Sequence, residues 1–385
     1  MPGRIVLYGA TGYFGTLTAR AMVASGARPL LAGRDRGRLD ALAARLAQES
    51  SGTQLETAVA GTAGPGQLRD LLGAGDVLVS TAGPFLKIGR PAVTAAVDAG
   101  AIYLDSSGEP PFIRQVFEEF GPRAERTGAV LLTAFGYDYV PGNLAGALAL
   151  QAAGPATARV QVGYFVRGNL RRGTSAGTRA GGRHAACARV RLPRRPRRDR
   201  ADSRARHLVR NRRQEKEAFS IGSSEDFALP RLRPRAAGAG ASPAQAPLTD
   251  VGVYLGWFGS ATRLVHYGSA LAAPLSSMPG VLRVVDALAR RIQRSRAGPG
   301  APESFRSDVV AVARDAHGAK LAAVHLTGGD PYSFTAPILA WAAGKAAAEG
   351  VRPAGALGPA EAFGADALES ACANAGFHRE RPKSG

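Results

Sequence analysis

Gly9-Ala-Thr-Gly-Tyr-Phe-Gly15 is the stretch that decides the fold of this chain. The apolar run Arg4-Ile-Val-Leu-Tyr8 precedes it and predicts a buried strand, and residues 16–24 follow as a predicted helix. A glycine turn between a strand and a helix lets the backbone approach a pyrophosphate, and the helix N-terminus favours its negative charge. Because the first gap of this G-x-x-G-x-x-G motif is longer than in G-x-G-x-x-G, the motif indicates a dinucleotide site only together with its strand and helix. The residues expected to bind the dinucleotide here are Gly9, Ala10, Thr11, Gly12, Tyr13, Phe14 and Gly15.

The next apolar run, residues 28–33, predicts a second strand, and Arg34 follows it nineteen residues after Gly15. In this fold the residue at this position contacts the adenosine ribose of the cofactor. An acidic residue hydrogen-bonds the ribose hydroxyls of NAD, whereas an arginine binds the 2′-phosphate of NADP. Arg34 therefore predicts NADP as the cofactor. Asp35 is the alternative ribose ligand, although a residue of this type commonly caps the helix that follows, here residues 36–48.

The first part of the chain goes on alternating between strand and helix patterns. Further strands are predicted at residues 54–60, 76–80, 101–104 and 129–133, and helices at 66–72, 90–99 and 111–126. This alternation predicts an α/β fold with a doubly wound parallel sheet and helices on both faces. The loop after the strand at 76–80 lies where ligands bind in such a sheet, unless it is an ordinary strand-to-helix turn. The residues expected to border the cofactor here are Thr81, Ala82, Gly83, Pro84 and Phe85.

Beyond this sheet the pattern changes. A strand is predicted at residues 158–166, helices at 251–258 and 279–294, a hairpin from 308–314 and 320–326, and helices at 335–349, 359–363 and 365–375. We therefore predict three parts: residues 1–145 as the nucleotide-binding domain, 146–330 as an inserted α/β domain for substrate binding or dimer formation, and 331–385 as C-terminal helices that pack back on the first domain.

The net charge of +19 is concentrated in one segment. Residues 171–213 contain sixteen Arg, two Asp and no Lys, and show neither helix nor strand periodicity. Since Arg, Ala, Pro and Gly are also what GC-rich codons encode out of frame, two hypotheses stand: a shifted reading frame or a disordered basic arm. The rest of the chain has an ordinary charge balance, so nucleic acid is not an expected partner.

Composition excludes other classes. A chain of 385 residues with 45% hydrophobic content can bury a large core, and no run of eighteen apolar residues predicts a membrane span or signal peptide. We expect a cytoplasmic protein, with membrane contact at most peripheral, through the basic amphipathic helix at 279–294; packing of that helix on its own domain is the favoured alternative. Cys187 and Cys372 lie far apart and the histidines have no paired spacing, so no metal site is expected.

Several motifs taken together resemble the saccharopine dehydrogenase-like oxidoreductases, in the branch of the trans-acting enoyl reductases. They are Gly9 to Gly15, Ala32-Gly-Arg34, Thr81-Ala-Gly-Pro-Phe85, Tyr103-Leu-Asp-Ser-Ser-Gly-Glu109 and Phe135-Gly-Tyr-Asp-Tyr-Val-Pro-Gly142. The resemblance covers residues 1 to about 170, returns near 219–232, 332–336 and 355–359, and fails across the arginine-rich segment.

This resemblance implies a Rossmann-type NADP-binding domain with an inserted domain and a C-terminal return. It implies NADPH-dependent reduction of the C=C bond of an enoyl thioester in lipid or polyketide metabolism. The substrate would be a small-molecule or carrier-bound acyl group, and the expected partners are a polyketide synthase and a second copy of the chain. The C=N chemistry of saccharopine dehydrogenases is one alternative, and a non-catalytic NADP-binding regulatory or scaffold protein is another.

A proton donor for either reaction is expected at the carboxyl ends of the strands. The candidates are Lys87, Asp105, Glu109, Tyr137, Asp138 and Tyr139. We predict that Asp138 and Tyr139 are catalytic, because a phenol can protonate an enolate while a carboxylate orients it or binds a substrate nitrogen; packing at a domain junction is the alternative for the tyrosines. None of the five lysines has a tyrosine four residues earlier, which disfavours the short-chain dehydrogenases.

Overall fold

The computed structural model of the chain describes residues 2–50, 52–167, 207–211, 214–232, 248–256 and 306–380. Within these ranges the chain forms two seven-stranded sheets. Most of the arginine-rich segment and the helix predicted at 279–294 lie outside the described residues. None of the described helices is long and apolar enough to cross a membrane.

The first sheet is built by the N-terminal part of the chain. Its strands are β1 (Ile5–Tyr8), β2 (Leu30–Gly33), β3 (Thr57–Val59), β4 (Val77–Ser80), β5 (Ile102–Asp105) and β6 (Val130–Leu132). The helices between them are α1 (Tyr13–Ala24), α2 (Arg36–Glu49), α3 (Gly66–Arg69), α4 (Phe85–Ile88), α5 (Arg90–Ala99), α6 (Pro110–Gln115) and α7 (Gly121–Thr127).

These strands are all parallel and lie in the order β3-β2-β1-β4-β5-β6. The chain winds outward from β1 in one direction and from β4 in the other, so the switch point lies between these two strands. Both are buried on all four residues, which explains why they are continuous apolar runs. The predicted doubly wound Rossmann-type sheet is confirmed.

One predicted helix is interrupted. Residues 111–126 were expected as a single helix, but a π-helical turn, Val116–Phe120, separates α6 from α7. Pro122 lies in the first turn of α7 and has no N–H group to donate to the carbonyl four residues earlier. The hydrogen-bond register therefore changes before this proline, as is common where a helical ladder loses a donor.

The second sheet is mixed. Its strands are β7 (Arg159–Arg167), β8 (His207–Asn211), β9 (Gln214–Ser220), β10 (Asp250–Leu255), β11 (Arg306–Arg314), β12 (Lys320–Gly328) and β14 (Phe377–Arg379), in the order β14-β12-β11-β7-β10-β9-β8. The predicted hairpin is confirmed as β11 and β12. Helix α8 (Val140–Ala153) follows β6 and packs against β7, β11 and β12, with every residue from Val140 to Leu150 buried.

One expectation in the second domain is wrong. Residues 251–258 were predicted as a helix, but Val251 and Val253 pair in register with Val160 and Val162 of β7 as part of β10. The alternation of β-branched residues and the pairing with a buried strand outweigh the helical pattern. Residues 207–211, within the arginine-rich segment, form β8, which pairs with β9.

The C-terminal part of the chain joins both sheets. Helix α10 (Pro331–Glu349) packs on α1, and the Gly3 N–H donates a hydrogen bond to the Ala347 carbonyl at 2.8 Å. Strand β13 (Gly355–Ala356) then pairs with β6, and after α11 (Pro359–Phe363) and α12 (Ala365–Asn374) strand β14 pairs with β12. The sequence indicated the helices but not the two short strands.

The aromatic ring of Phe377 provides a test of this return. Phe377 is 1% exposed, and its ring centroid lies 5.2 Å from that of Phe334 and 5.9 Å from that of Tyr137. We expect Phe377→Ala to lower the free energy of unfolding by about 3 kcal/mol or more, because a buried aromatic leaves a cavity. Urea unfolding would measure it, with the exposed neighbour His378→Ala as a control that changes stability little; equal effects of the two substitutions would contradict the packing described.

Candidate functional site

The glycine turn after β1 is closely packed and its packing requires glycine. Gly9 has φ +81°, and its N–H donates to the Ala32 carbonyl at 2.9 Å. A Cβ atom on Gly15 would lie 2.2 Å from the Gly9 carbonyl oxygen, so only glycine lets α1 start this close to the turn. Gly12 precedes α1 and has no side chain to accept its first N–H groups, which suits an anionic ligand at this helix end.

The loop after β4 lies directly against the glycine turn. The Thr81 hydroxyl donates to the carbonyls of Tyr8 and Gly9, at 3.0 and 3.2 Å. A Cβ on Gly9 would come within 2.9 Å of the Ala82 nitrogen. The structure therefore brings together, at the switch point, the two loops that the sequence analysis proposed as cofactor-binding.

Two arginines lie beside this turn. Arg34 is exposed at the end of β2 and close to the Tyr8 hydroxyl, whose pKa is raised by burial and lowered to a smaller extent by Arg34. Asp35 has the ordinary role of capping α2, since its Oδ1 accepts from the Arg38 N–H at 3.1 Å. The Arg38 guanidinium donates to the Thr11 carbonyl at 3.0 Å. Sequence analysis missed Arg38; its position one helical turn after Arg34 was the available signal.

Two of the candidate proton donors are occupied by hydrogen bonds within the protein. The buried Glu109 carboxylate accepts from the Phe85 and Leu86 N–H groups, at 2.8 and 3.1 Å. Asp105 is completely buried, and its carboxylate accepts from the Ala134 N–H at 2.9 Å and from the Thr133 hydroxyl at 2.8 Å. Burial raises the pKa of Asp105 to about 6, against the opposing effect of these hydrogen bonds. Lys87, a further candidate, is exposed.

Asp138 is different, because no described residue donates a hydrogen bond to it or pairs with its charge. Its carboxylate is partly exposed and lies against the backbone of Gly108: a Cβ on Gly108 would be 2.6 Å from Asp138 Oδ2. Burial raises the pKa of Asp138 to about 6. The described titratable groups that its charge affects are the phenols of Tyr137 and Tyr139, so the carboxyl has no cation nearby in the described part of the chain.

Tyr139 lies at the N-terminus of α8 in a left-handed backbone conformation, with φ +94°. Its ring is 3% exposed and its hydroxyl donates to the Gly222 carbonyl at 3.3 Å. Burial, followed by the charges of Asp138, Glu225 and Asp226, raises the pKa of Tyr139 well above its ordinary value. Ionisation of this phenol is therefore strongly disfavoured.

The second domain reaches the site through residues 221–232, which we call the bridging segment. It contains α9 (Glu225–Ala228) and a 3-10 turn, Leu229–Leu232. The segment packs on the nucleotide-binding domain, because Phe227 stacks on Phe117 with centroids 4.8 Å apart and the Arg231 guanidinium donates to the Ala356 carbonyl. The bridging segment thus joins the second domain to the nucleotide-binding domain.

A buried acid in this segment was not found from the sequence. The Tyr164 hydroxyl donates to Glu225 Oε1 at 2.6 Å and accepts from the Gly142 N–H at 3.0 Å, so it joins the bridging segment to the first turn of α8. Burial is the main cause that raises the pKa of Glu225 to about 8, and the hydrogen bond from Tyr164 opposes it. Tyr164 and Glu225 are 61 residues apart, and neither belongs to a local motif.

Asn143 adds a second connection at the same junction. Its Nδ2 group donates to the Tyr139 carbonyl at 2.8 Å and to the Ser224 hydroxyl at 2.9 Å. The side chains of Asn143, Tyr164, Ser224 and Glu225 are all buried. The backbone at Tyr139 is therefore fixed by the bridging segment as well as by its own helix.

Elsewhere on the second sheet, three possible metal ligands meet, although the sequence predicted no metal site and no role for His325. The ligand atoms of Asp308, His325 and Glu380 lie within 4.8 Å of one another. His325 Nδ1 is 2.7 Å from a Glu380 oxygen, but the Arg306 guanidinium lies 3.6 Å from Glu380 and 4.0 Å from Asp308. A guanidinium beside both carboxylates already supplies a positive charge, which disfavours a divalent cation.

Comparison with known proteins identifies the N-terminal domain. Residues 5–132 match the family described as the saccharopine dehydrogenase NADP binding domain. Over these residues the chain is similar to that family. The match confirms the prediction of NADP as the cofactor of the domain and extends from β1 to the end of β6.

Similar sequences cover a limited part of the chain. A trans-acting enoyl reductase of Mycobacterium leprae is 39% identical over 142 residues, which are 36% of this chain and 34% of that protein. A trans-acting enoyl reductase of Mycobacterium ulcerans is 37% identical over 142 residues, with the same two shares. The chain thus matches about a third of the length of its curated relatives.

A solved structure has a similar fold. Apo saccharopine dehydrogenase (L-Glu forming) from Saccharomyces cerevisiae superposes with a TM-score of 0.51 over 98% of this chain and 99% of its own, at 12% identity. A likeness at this identity shows the fold and not the reaction.

The residues of the NADP-binding domain fit the cofactor. The turn has no room for a Cβ atom at Gly9 or Gly15, and it lies at the N-terminus of α1. Arg34 and Arg38 provide cations beside it. Gly9, Gly12 and the first turn of α1 would hold the pyrophosphate, and Arg34 with Arg38 would hold the 2′-phosphate.

Substitution of the arginines tests this placement. We expect Arg34→Ala to weaken NADPH binding by about 10-fold to 100-fold and NADH binding little, because only NADPH loses a charge-assisted hydrogen bond. Fluorescence titration measures both constants. Arg36→Ala is the matched control, since the Arg36 guanidinium lies instead on the Thr57 hydroxyl at 3.3 Å. Equal affinities of the unaltered protein for NADPH and NADH would contradict the assignment.

Glu225 gives a pH-dependent prediction. Its pKa is about 8 in the folded chain and near 4.5 in the unfolded chain, so the folded state holds an extra proton between these values. The free energy of unfolding should therefore fall as pH rises through this range, by up to about 1.4 kcal/mol per unit. Asp105, Asp138 and Asp226, with pKa values of about 6, have mostly ionised above pH 7. Among the described carboxyl groups, Glu225 is therefore the one whose pKa is raised furthest.

We expect Glu225→Gln to reduce this slope between about pH 7 and 8, because glutamine does not ionise. Urea unfolding at several pH values measures the slope, and Glu118→Gln, on an exposed side chain, should keep that of the unaltered protein. An identical slope in the Glu225→Gln variant would show that Glu225 does not hold the extra proton.

Proposed function

We propose that the protein is an NADPH-dependent oxidoreductase that reduces the C=C bond of an enoyl thioester, with Asp138 as the proton donor. The observation that carries the proposal is the position of Asp138: a partly exposed carboxyl, without a partner among the described residues, at the carboxyl end of the sheet that carries the NADP-binding turn. Bound NADPH supplies a hydride. Reduction of a C=C bond requires one proton in addition, and the chain has to deliver it.

Asp138 suits that delivery better than Tyr139. An acid is most effective when its pKa lies near the working pH, and that of Asp138 is raised by burial to about 6. Proton loss from Tyr139 would create a phenolate among the carboxyl groups of Asp138, Glu225 and Asp226. We therefore assign the proton to Asp138 and give Tyr139 the role of holding the loop through its hydrogen bond to Gly222.

The surroundings of Asp138 favour a thioester over an amino acid. A substrate with two carboxylates requires cations at the site, and no described arginine or lysine affects the ionisation of Asp138. An acyl thioester makes no such demand. The curated relatives, which are named trans-acting enoyl reductases, support the same class, and their name suggests a carrier-bound acyl chain on a polyketide synthase as the substrate and partner.

A second candidate follows from the same carboxylate. An unpaired Asp138 is also able to bind the nitrogen of an imine or amine, as reduction of a C=N bond would require. This alternative predicts turnover of saccharopine or of its imine precursors instead of enoyl thioesters.

Following NADPH absorbance with a panel of enoyl thioesters, and with the saccharopine set beside it, tests the proposal. We expect oxidation with enoyl thioesters, a rate that falls as pH rises above about 6 because Asp138 loses its proton, and a loss of about 10²-fold to 10⁴-fold in Asp138→Asn. Tyr139→Phe should lose much less. The matched control is Asp98→Asn, at an exposed ion pair with Arg123.

Turnover restricted to the saccharopine set would replace the enoyl assignment with the C=N one. Enoyl turnover that survives Asp138→Asn but not Tyr139→Phe would reverse the two roles. NADPH binding without oxidation of either set would favour a regulatory or scaffold protein.

A further inference from the structure

We infer that residues 105–109, which we call the coupling strip, fix the cofactor-side loop and the proton donor relative to each other, with Glu109 and Asp105 as positioning residues. This inference rests on the proposed function for the role of Asp138, but the contacts that carry it do not. The strip leaves the end of β5 and runs between the loop at 81–86 and the loop that bears Asp138.

One end of the strip holds the cofactor-side loop. Both oxygens of Glu109 accept backbone N–H groups, from Phe85 and Leu86, at the point where the loop after β4 becomes α4. Glu109 is 4% exposed, so these N–H groups are satisfied by one buried carboxylate. The Glu109 N–H in turn donates to the Ser107 hydroxyl at 3.1 Å.

The other end of the strip holds the chain after β6. Asp105 Oδ1 accepts from the N–H of Ser107, within the strip, and from the N–H of Ala134, outside it, at 2.8 and 2.9 Å. Ala134 has φ +60°, an unfavourable conformation for a residue with a Cβ, and the Asp105 carboxylate is the group that stabilises it. Four residues later the chain reaches Asp138.

The middle of the strip touches the proton donor. Gly108 has no side chain, so its backbone lies against the Asp138 carboxylate, and a Cβ there would be 2.6 Å from Oδ2. A continuous series of contacts therefore leads from Phe85 through Glu109, Ser107 and Asp105 to the turn at Ala134, with Gly108 in direct contact with Asp138. Both carboxylates of the strip are buried and accept hydrogen bonds from the protein itself, so we assign them a positioning role.

Variants of the strip test the coupling, with readouts that do not require turnover. In the full chain we would measure NADPH affinity by fluorescence titration and the titration midpoint of Asp138 by carboxyl ¹³C NMR, with Asp138→Asn to assign the signal. Glu109→Gln keeps one side-chain oxygen that can accept a hydrogen bond and replaces the other with an NH2 group that cannot. We expect it to weaken NADPH binding about 10-fold and to move the Asp138 midpoint by about half a pH unit, although residue 109 need not touch either group.

Gly108→Ala and Asp105→Asn complete the test. Gly108→Ala should displace the Asp138 carboxylate and weaken NADPH binding, since its Cβ would collide with Oδ2. Asp105→Asn should change NADPH affinity by less than about two-fold and leave the Asp138 midpoint in place, because Oδ1 still accepts both N–H groups and Nδ2 can donate to the Thr133 hydroxyl. Asp105→Ala should change both NADPH affinity and the Asp138 midpoint. The controls are Glu119→Gln, at an exposed ion pair with Arg90, and Gly64→Ala, where a Cβ has open space.

The outcome separates positioning from simple packing. If Glu109→Gln lowers the melting temperature but leaves NADPH affinity and the Asp138 midpoint unchanged, the strip is only structural and the inference is wrong. If Glu109→Gln fails to fold, the pair Asp105→Asn and Asp105→Ala decides: equal readouts in the two overturn the inference. Absence of enoyl turnover alone would count against the proposed function and not against the coupling.

Discussion

The close approach of α1 to the end of β1 is the constraint on which the rest of the molecule depends. Only because Gly15 lies against the Gly9 carbonyl does the helix N-terminus open at the switch point between β1 and β4. The loop after β4 then lies against the same turn through Thr81, and the residues proposed to bind the cofactor lie around this junction. A single extra methyl group at Gly15 would collide with the Gly9 carbonyl oxygen and remove this geometry.

Several acidic side chains near this junction are withdrawn from water. Asp105, Asp138, Asp226 and Glu225 all lie near the junction, and burial raises the pKa of each. Their environments nevertheless differ. Asp105 accepts several hydrogen bonds and Glu225 accepts one from the Tyr164 phenol, whereas no described residue donates a hydrogen bond to Asp138. A carboxyl that is withdrawn from water without a partner destabilises the folded state, so its presence is typical of a working group. That contrast, and not the mere presence of carboxylates, distinguishes a catalytic candidate from a structural one.

Much of the nucleotide-binding half could be predicted from the sequence, because its signals are local. Buried strands such as Val77–Ser80 are continuous apolar runs, and the glycine turn lies between a strand and a helix. The later part of the chain was harder to predict from its sequence. The pattern of β10 alone predicts a helix, and its strand conformation depends on pairing with β7. Strand β13 is only two residues long. At the candidate site, Asp138 was proposed from a motif, whereas the hydrogen bond between Tyr164 and Glu225 joins residues 61 apart in sequence, which no pattern of spacing reveals. Contacts of that kind are set by tertiary packing.

The pairing of β13 with one sheet and β14 with the other has a consequence for how the domains can move. Residues 355–379 are hydrogen-bonded to both sheets, and the bridging segment contacts the same stretch through Arg231 and Ala356. The connections between the domains therefore run through several separate strands of chain and not through one flexible hinge. Rotation of one domain away from the other would have to break the backbone hydrogen bonds of these strand pairs. We therefore expect a substrate to enter through small sliding movements of packed elements. For the same reason, neither sheet is complete until a distant part of the chain has joined it, which makes the two domains depend on each other during folding.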